Sequence, residues 1–424
     1  MKIFHGRLLV FCAIAMSALV LRLAVTSFSP LAAQIQEDIG FSTTVVGVFG
    51  MVPTLMFAVS GMLTPLLAAR FGLERTVTVA MLMAGTGMAA RALVTDTWSL
   101  LALSALALAG MGIGNVVIPP LVKRYFSDRL AVMSSVYIVG VQIGTIVPAF
   151  VAVPLADAAG WRTSIGVWAA VAFAAALPWI VVLARRRAAP GGAFAEPLAE
   201  PGRRPSAWRS PVGWAMALMF GMTSTITYAM FTWIPAILAD AGASAAFGGT
   251  MVGLFSMMGL VAAFGAPTLC ARMANPFPLV VACAVCFVLA FAGLLWAPMS
   301  APVLWIVLLG LGPSTFPMAL TLINLRTRTH AGSSSLSGFT QGVGYLVASA
   351  GPLVFGVLHD ASGNWWWSFG YLFACVAVLL AAGSQACRPR MLEDTLRSGD
   401  TLPGGGAPAG RYTETQTGAS SHGR

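Results

Sequence analysis

Apolar runs alternate with short polar breaks along most of the chain, at 8–30, 43–67, 75–95, 98–121, 131–154 and 162–184, then at 211–238, 246–270, 278–297, 301–325, 334–358 and 366–386. Each has the length a helix needs to cross a bilayer, about 20 residues at roughly 1.5 Å apiece. The pattern predicts an all-α membrane protein of twelve transmembrane helices. The longest break, 185–210, is rich in Pro, Gly and Arg and reads as a flexible cytoplasmic linker between an N-terminal six-helix half, 1–184, and a C-terminal one, 211–386. The tail, 387–424, is rich in Gly, Ser and Thr and reads as disordered. Met1 to Arg7 is basic, as in a signal peptide, but the apolar run behind it is too long for one, so a retained first helix is expected.

Composition agrees. At 58% hydrophobic and 9% charged, 424 residues lack the polar surface to coat a soluble particle. The net charge of +10 raises nucleic acid as a partner, and the placement of the charges removes it. With the N-terminus inside, inner loops and termini hold all 24 Lys and Arg except Arg22, Arg91 and Arg162. This positive-inside distribution predicts a multi-pass inner-membrane protein with both termini cytoplasmic. Glu37, Asp38, Asp96, Asp157, Asp240 and Asp360 fall at outer ends and the other acids in inner loops or the tail, which leaves no Asp or Glu within a predicted span. The six cysteines are expected as free thiols; Cys283 and Cys286 have a metal-like spacing but sit mid-helix with no His nearby.

The halves resemble each other. A shift of 202 residues places Ser42, Gly47, Pro65 and Arg70 on Ser244, Gly249, Pro267 and Arg272, at the same point of each half, and similar shifts relate Gly110 and Gly112 to Gly310 and Gly312, and Gly140 and Pro148 to Gly344 and Pro352. After the second helix, Pro65, Ala69, Arg70, Gly72, Leu73, Glu74 and Arg75 resemble the cytoplasmic loop signature of the major facilitator superfamily. Arg70 and Gly72 match it, Ala69 replaces its Asp, and Leu73 and Glu74 replace two basic positions. Three further stretches are similar to the cyanate permease and nitroimidazole transporter branch of that superfamily. They are Arg22 through Thr26 to Pro30, then Gly112, Gly114, Asn115 and Pro119 to Lys123 and Arg124, and Gln341, Gly344 and Tyr345 to Pro352, His359 and Asp360. The resemblance implies parallel six-helix halves with a substrate site between them near the midplane. It also implies a cytoplasmic gate loop at Arg70, Gly72 and Arg75.

Arg22 is the most conspicuous candidate. It lies about 14 residues, roughly 21 Å, above the inner end of its helix, too deep to snorkel easily. A charge at that depth costs roughly 2.5–3.5 kcal/mol on insertion scales, which makes it a functional hypothesis in need of a partner. No acid is predicted in any span, so the expected partner is a carboxylate-like or cyanate-like substrate held by the planar guanidinium. Arg91, close in sequence to Asp96, reads instead as an interfacial anchor paired with it. Gln142 and Gln341 at middle depth could bind substrate or glue helices together. Tyr228 and Tyr345 could line the site or belong to an interfacial belt, as Trp365, Trp366 and Trp367 are expected to. Asn115 either touches substrate or satisfies carbonyls freed by Pro119 and Pro120. Gly140, Gly144, Gly344 and Gly351 read as close-packing positions.

There is no phosphate-binding Gly-rich loop ending in Lys, and Lys2 and Lys123 are the only lysines, which argues against direct ATP use. The four histidines, His5, His330, His359 and His422, lie in termini, loops or helix ends, so an embedded enzyme is disfavoured, and the linker and tail are too short for a sensor's output domain. The expected function is secondary transport of a small anion, with efflux of neutral aromatic compounds as the alternative. No cofactor is called for. The expected partners are an anionic small molecule and the lipid bilayer, with the chain acting as a monomer.

Overall fold

In the computed structural model, residues 2–187 and 207–395 are described, so most of the predicted linker and most of the predicted tail lie outside the described residues. Helix α1 is built in pieces, Lys2–Val20, Leu23–Thr26 and Ala32–Ile39, with a 3-10 turn at Ser29–Leu31. Then come α2 (Thr43–Phe71), α3 (Leu73–Arg91), α4 (Thr97–Tyr125), α5 (Leu130–Ala159) and α6, split into Trp161–Gly166 and Trp168–Arg187. The second half holds α7 (Pro211–Asp240), α8 (Ala245–Arg272), α9 (Phe277–Trp296), α10, split into Pro302–Leu311 and Thr315–Leu325, α11 (His330–Ser362) and α12 (Trp366–Ala386). Among the described residues, eleven of these are long and apolar enough to cross a membrane.

The exception is α3, where the sequence predicts a span at 75–95. Glu74, Arg75, Arg91 and several threonines lower its hydropathy, yet it runs the length of α4, from Glu74 beside Tyr125 at one end to Arg91 against α1 at the other. Glu74 and Arg91 tolerate this because they face protein, both being buried, while Arg75 in the first turn is exposed. The first predicted segment is also longer than its hydropathy indicates, since the helical pieces carry on to Ile39. Several helices contain proline, among them Pro65, Pro119, Pro120, Pro267 and Pro352, without losing continuity. Neighbouring helices and local adjustment re-satisfy the freed backbone groups in such bundles.

Each half packs on small residues. A Cβ on Gly144 of α5 would run into the Leu19 carbonyl oxygen of α1, and one on Gly344 of α11 would collide with the Phe220 ring of α7 and come within 3.3 Å of the Ala217 carbonyl and the Gly221 nitrogen. Between halves, α2 packs on α11 and α5 on α8. The sequence repeat is visible as local structure: Ser42 and Ser244 are N-caps of α2 and α8, and Arg70 and Arg272 close the same helices.

The start of the tail departs from the expectation of disorder. Leu392 is fully buried and its N–H donates to the Arg326 carbonyl at 2.8 Å. Glu393 accepts from the Arg328 and Thr329 backbone N–H groups at 3.0 and 3.2 Å, and Asp394 takes a two-pronged hydrogen bond from Arg328 at 2.6 and 2.9 Å. The segment thus ties the α10–α11 loop to the end of α12. Leu392→Ala is expected to cost about 2–5 kcal/mol, read as a lower melting temperature of the purified protein.

Asp96 is the N-cap of α4 and accepts from the Ser99 N–H at 2.9 Å, which holds its carboxyl below the usual carboxylate range. That corrects the expected pairing of Asp96 with Arg91. Arg91 is no interfacial anchor: it is 1% exposed and donates to the Ala24 carbonyl at 3.3 Å and the Ser27 hydroxyl at 3.1 Å, both on α1. Nor is Trp365 a belt residue like the exposed Trp366 and Trp367. It stacks on His359 with ring centres 3.7 Å apart, and its ring N–H donates to Asp240 at 3.1 Å.

Candidate functional site

Helix α1 breaks where the sequence places its deep charge. Arg22 leaves helical geometry at φ −130° and ψ −6°, and a short turn, Leu23–Thr26, restarts behind it. The Thr26 hydroxyl donates back to the Arg22 carbonyl at 3.3 Å, and Arg22 Nη1 lies 3.5 Å from the Leu21 carbonyl, a long and weak contact. The guanidinium is thereby turned off the helix and over the Phe57 ring of α2, 4.7 Å from its centre. Such a contact is worth about 0.5–2 kcal/mol, too little to offset burying a cation.

Around Arg22 opens a cavity of about 1120 Å³ between the halves. All six residues proposed from sequence line it: Arg22, Asn115, Gln142, Tyr228, Gln341 and Tyr345. Tyr137, Tyr228 and Tyr345 line the same cavity wall as Arg22. Phe57 meets Tyr228 and Tyr345 edge-on at 6.4 and 5.8 Å. The result is a cation walled by aromatic rings with hydroxyl groups beside it. No Asp or Glu lines the cavity.

The amides are arranged less simply. Gln142 donates to the Ser256 carbonyl of α8 at 3.3 Å, so it joins the halves as well as lining the cavity. Gln341 donates to the Ser337 hydroxyl one turn away at 2.8 Å. Asn115 faces the cavity beside Pro119 and Pro120, in a helix that stays continuous through both prolines.

Sequence reasoning missed Tyr137 and Phe57. Tyr137, Val141, Gln142 and Thr145 follow helical spacing along one cavity-lining face of α5, so the position of Gln142 was the available signal. Phe57 carries no polar mark that separates it from core phenylalanines.

The gate loop also differs. Gly72 has φ +82°, which turns the chain from α2 into α3, while Arg70 and Arg75 are exposed and Arg70 lies over Phe71. The clasp between helix ends is made by Glu74, which was read as an inner-loop acid. It accepts from the Tyr125 hydroxyl at 2.8 Å and pairs with Arg124 at 3.4 Å. With Ala69 at the usual Asp position, the acidic partner has moved along the loop and into α3.

The cavity reaches the face on which the described residues begin and end: Pro65, Pro267, Leu325 and Ser334, near that end of α2, α8, α10 and α11, line it. The opposite face is shut. Thr44 donates to Asp360 at 2.6 Å, Trp233 donates to the Pro352 carbonyl at 2.9 Å, and the Ser29 hydroxyl donates to the Phe231 carbonyl. Gly50 of α2 lets α7 and α11 of the other half close in at Thr232 and Pro352.

Two bundles around a central chamber, open on one side and sealed on the other, define a membrane carrier of the alternating-access type. The family model described as Major Facilitator Superfamily matches residues 14–352, and the chain belongs to that family. It is 31% identical to the uncharacterized transporter YycB of Bacillus subtilis, over 88% of this chain and 92% of that one. Identity is 30% with the 2-nitroimidazole transporter of Escherichia coli, over 85% and 90% of the two chains. With the cyanate transport protein CynX of Escherichia coli it is 26%, over 85% and 92%. Among solved structures, a bacterial homolog of the human lysosomal transporter Spinster, inward-facing and occupied, matches with TM-score 0.70 at 14% identity, over 93% of this chain and 98% of that one. The protein is a multi-pass secondary transporter, not an enzyme.

Proposed function

We propose that this transporter moves a small anion, carboxylate or cyanate-like, across the inner membrane, with both termini cytoplasmic. The observation that carries the reading is Arg22: a cation on the cavity wall, at the break of α1, with no acid among the cavity's residues. A planar guanidinium matches a planar anion with two hydrogen bonds, and the Tyr137, Tyr228 and Tyr345 hydroxyls stand ready to add others. The cyanate transport protein among the relatives agrees with this chemistry. Proton coupling through a membrane carboxylate finds no residue in the cavity, so exchange or uniport of the anion fits better.

The aromatic wall favours a second reading, transport of neutral aromatic compounds, as the 2-nitroimidazole transporter among the relatives illustrates. Counterflow in proteoliposomes separates the two. Labelled cyanate or benzoate is expected to be drawn in by internal unlabelled anion, with 2-nitroimidazole much the poorer substrate. Counterflow of 2-nitroimidazole without that of any anion would reverse the assignment.

A further inference from the structure

The seam between α5 and α8, which joins the two halves along one side of the central cavity, changes character along its length. Toward the sealed face it is close-packed. A Cβ on Gly253 of α8 would press into the Phe150 ring of α5, and one on Gly249 would lie 3.3 Å from the Ala149 carbonyl and 3.4 Å from the Val153 side chain. Toward the open mouth α8 faces the cavity instead, through Gly259, Ala262, Ala263 and Pro267. Where one stretch gives way to the other, Gln142 Nε2 donates to the Ser256 carbonyl at 3.3 Å. Both residues line the cavity.

Gly259, one turn along α8 from Ser256, leaves the room that the amide occupies, since a Cβ there would come within 2.8 Å of Gln142 Nε2. The bond is already near the long end of the hydrogen-bond range, so a small parting of the helices breaks it. Breaking it strands neither group. The Ser256 carbonyl belongs to the continuous helix α8, and the amide faces a cavity of about 1120 Å³, roomy enough for water. A hydrogen bond exchanged for water in this way is worth a factor of about 2–12 in an equilibrium constant. Opening the sealed face requires the two halves to separate there, and this seam is one of the places where they meet.

We propose that Gln142 is a positioning residue of the transport cycle. Its amide latches α5 to α8 while the sealed face is shut, and its release accompanies opening on the side of Thr44 and Asp360. Of the two roles open to it from sequence, substrate ligand or glue between helices, this assigns the second and gives it a function: Gln142 sets the balance between the two states of the carrier. The role does not depend on which compound the cavity carries.

The test is the rate at which a charged maleimide labels Thr44→Cys in the purified full chain lacking its six native cysteines, with no substrate present. Gln142→Met keeps the length and bulk of the side chain and removes the donor, and is expected to label about 2- to 12-fold faster than the starting protein. Gly259→Ala leaves both bonded groups in place but pushes the amide away from Ser256, and is expected to label faster by a similar factor. The double variant should label no faster than the faster single one, because both substitutions remove the same bond. Gly265→Ala, on the same helix where a Cβ meets nothing within 4 Å, is expected to label like the starting protein and controls for a stiffer α8. The two test substitutions lie in opposite halves, so the test survives if one variant fails to fold. Unchanged labelling in either folded single variant overturns the proposal. So does a double variant in which the two effects multiply, or a Gly265→Ala protein that labels as fast as Gly259→Ala.

Discussion

Arg22→Ala is expected to abolish anion transport, and Arg22→Lys to do so nearly as completely, while both proteins reach the membrane in normal amount. Hydrogen bonds to charged groups contribute about 1.5–3 kcal/mol each. Loss of a two-pronged pair therefore weakens substrate binding by roughly 100-fold or more. Lysine keeps the charge but concentrates it on one flexible ammonium and cannot present the planar fork. It also lacks the flat face that Arg22 lays over Phe57. Stability should move the other way. Arg22 lines a cavity with no protein acid, and its contacts, the Phe57 ring and at long range the Leu21 carbonyl, are neutral, so its removal relieves an uncompensated charge, and Arg22→Ala is expected to melt no lower than the wild type. Initial uptake rates in proteoliposomes at matched protein content check the first expectation. Normal uptake by both variants would remove Arg22 from the site.

Gly50→Leu is the second large effect, and it acts on the conformational equilibrium instead of on the ligand. On the sealed side, a Cβ at Gly50 would overlap the Thr232 hydroxyl and come within 2.7 Å of the Pro352 side chain. Both partners belong to the other half, so a leucine wedges α2 away from α7 and α11 where the halves now meet. Overpacking costs about 1–3 kcal/mol, which is a shift of roughly 5- to 150-fold between states if the strain is relieved by opening that face. The expected protein is biased toward opening on the side of Thr44 and Asp360 and transports slowly. In a background lacking the six native cysteines, Thr44→Cys should label faster with a membrane-impermeant thiol reagent once Gly50→Leu is added, and Ser334→Cys at the other mouth should label more slowly. Unchanged labelling at both positions would show that the Gly50 contact is not part of the seal.

Much of this architecture is legible in the sequence, because lipid imposes a strong and simple pattern. A helix that must bury its backbone polar groups in hydrocarbon shows itself as a long apolar run, and twelve such runs were readable. Arg22 was legible for the same reason, as a charge that the surroundings cannot easily accept. What periodicity does not carry is which helix stands beside which. Arg91 has Asp96 as its neighbour in sequence, yet its bonds reach Ala24 and Ser27 on α1. Glu74 looked like a loop acid because hydropathy is low at the start of α3; the structure buries it against α4. The break in α1 falls at Leu21 and Arg22, with no Gly or Pro at either position to announce it, and the bonds from Arg91 to the turn that follows arise only once α3 has packed. The six site residues drawn from sequence do share one cavity. Tyr137 shares the α5 face that Gln142 marks, whereas Phe57 joins them through tertiary packing alone.

The claim at the centre of this account is that Arg22 holds an anion, and direct binding tests it most closely. Isothermal titration of the purified protein with cyanate and benzoate, and with benzamide as the neutral counterpart of benzoate, compares the wild type with Arg22→Gln. The account predicts that the wild type binds at least one of the two anions, that Arg22→Gln binds it roughly 100-fold more weakly, and that benzamide binds both proteins poorly. Equal affinity of the two proteins for the anion, or tighter binding of benzamide than of benzoate by the wild type, would contradict it.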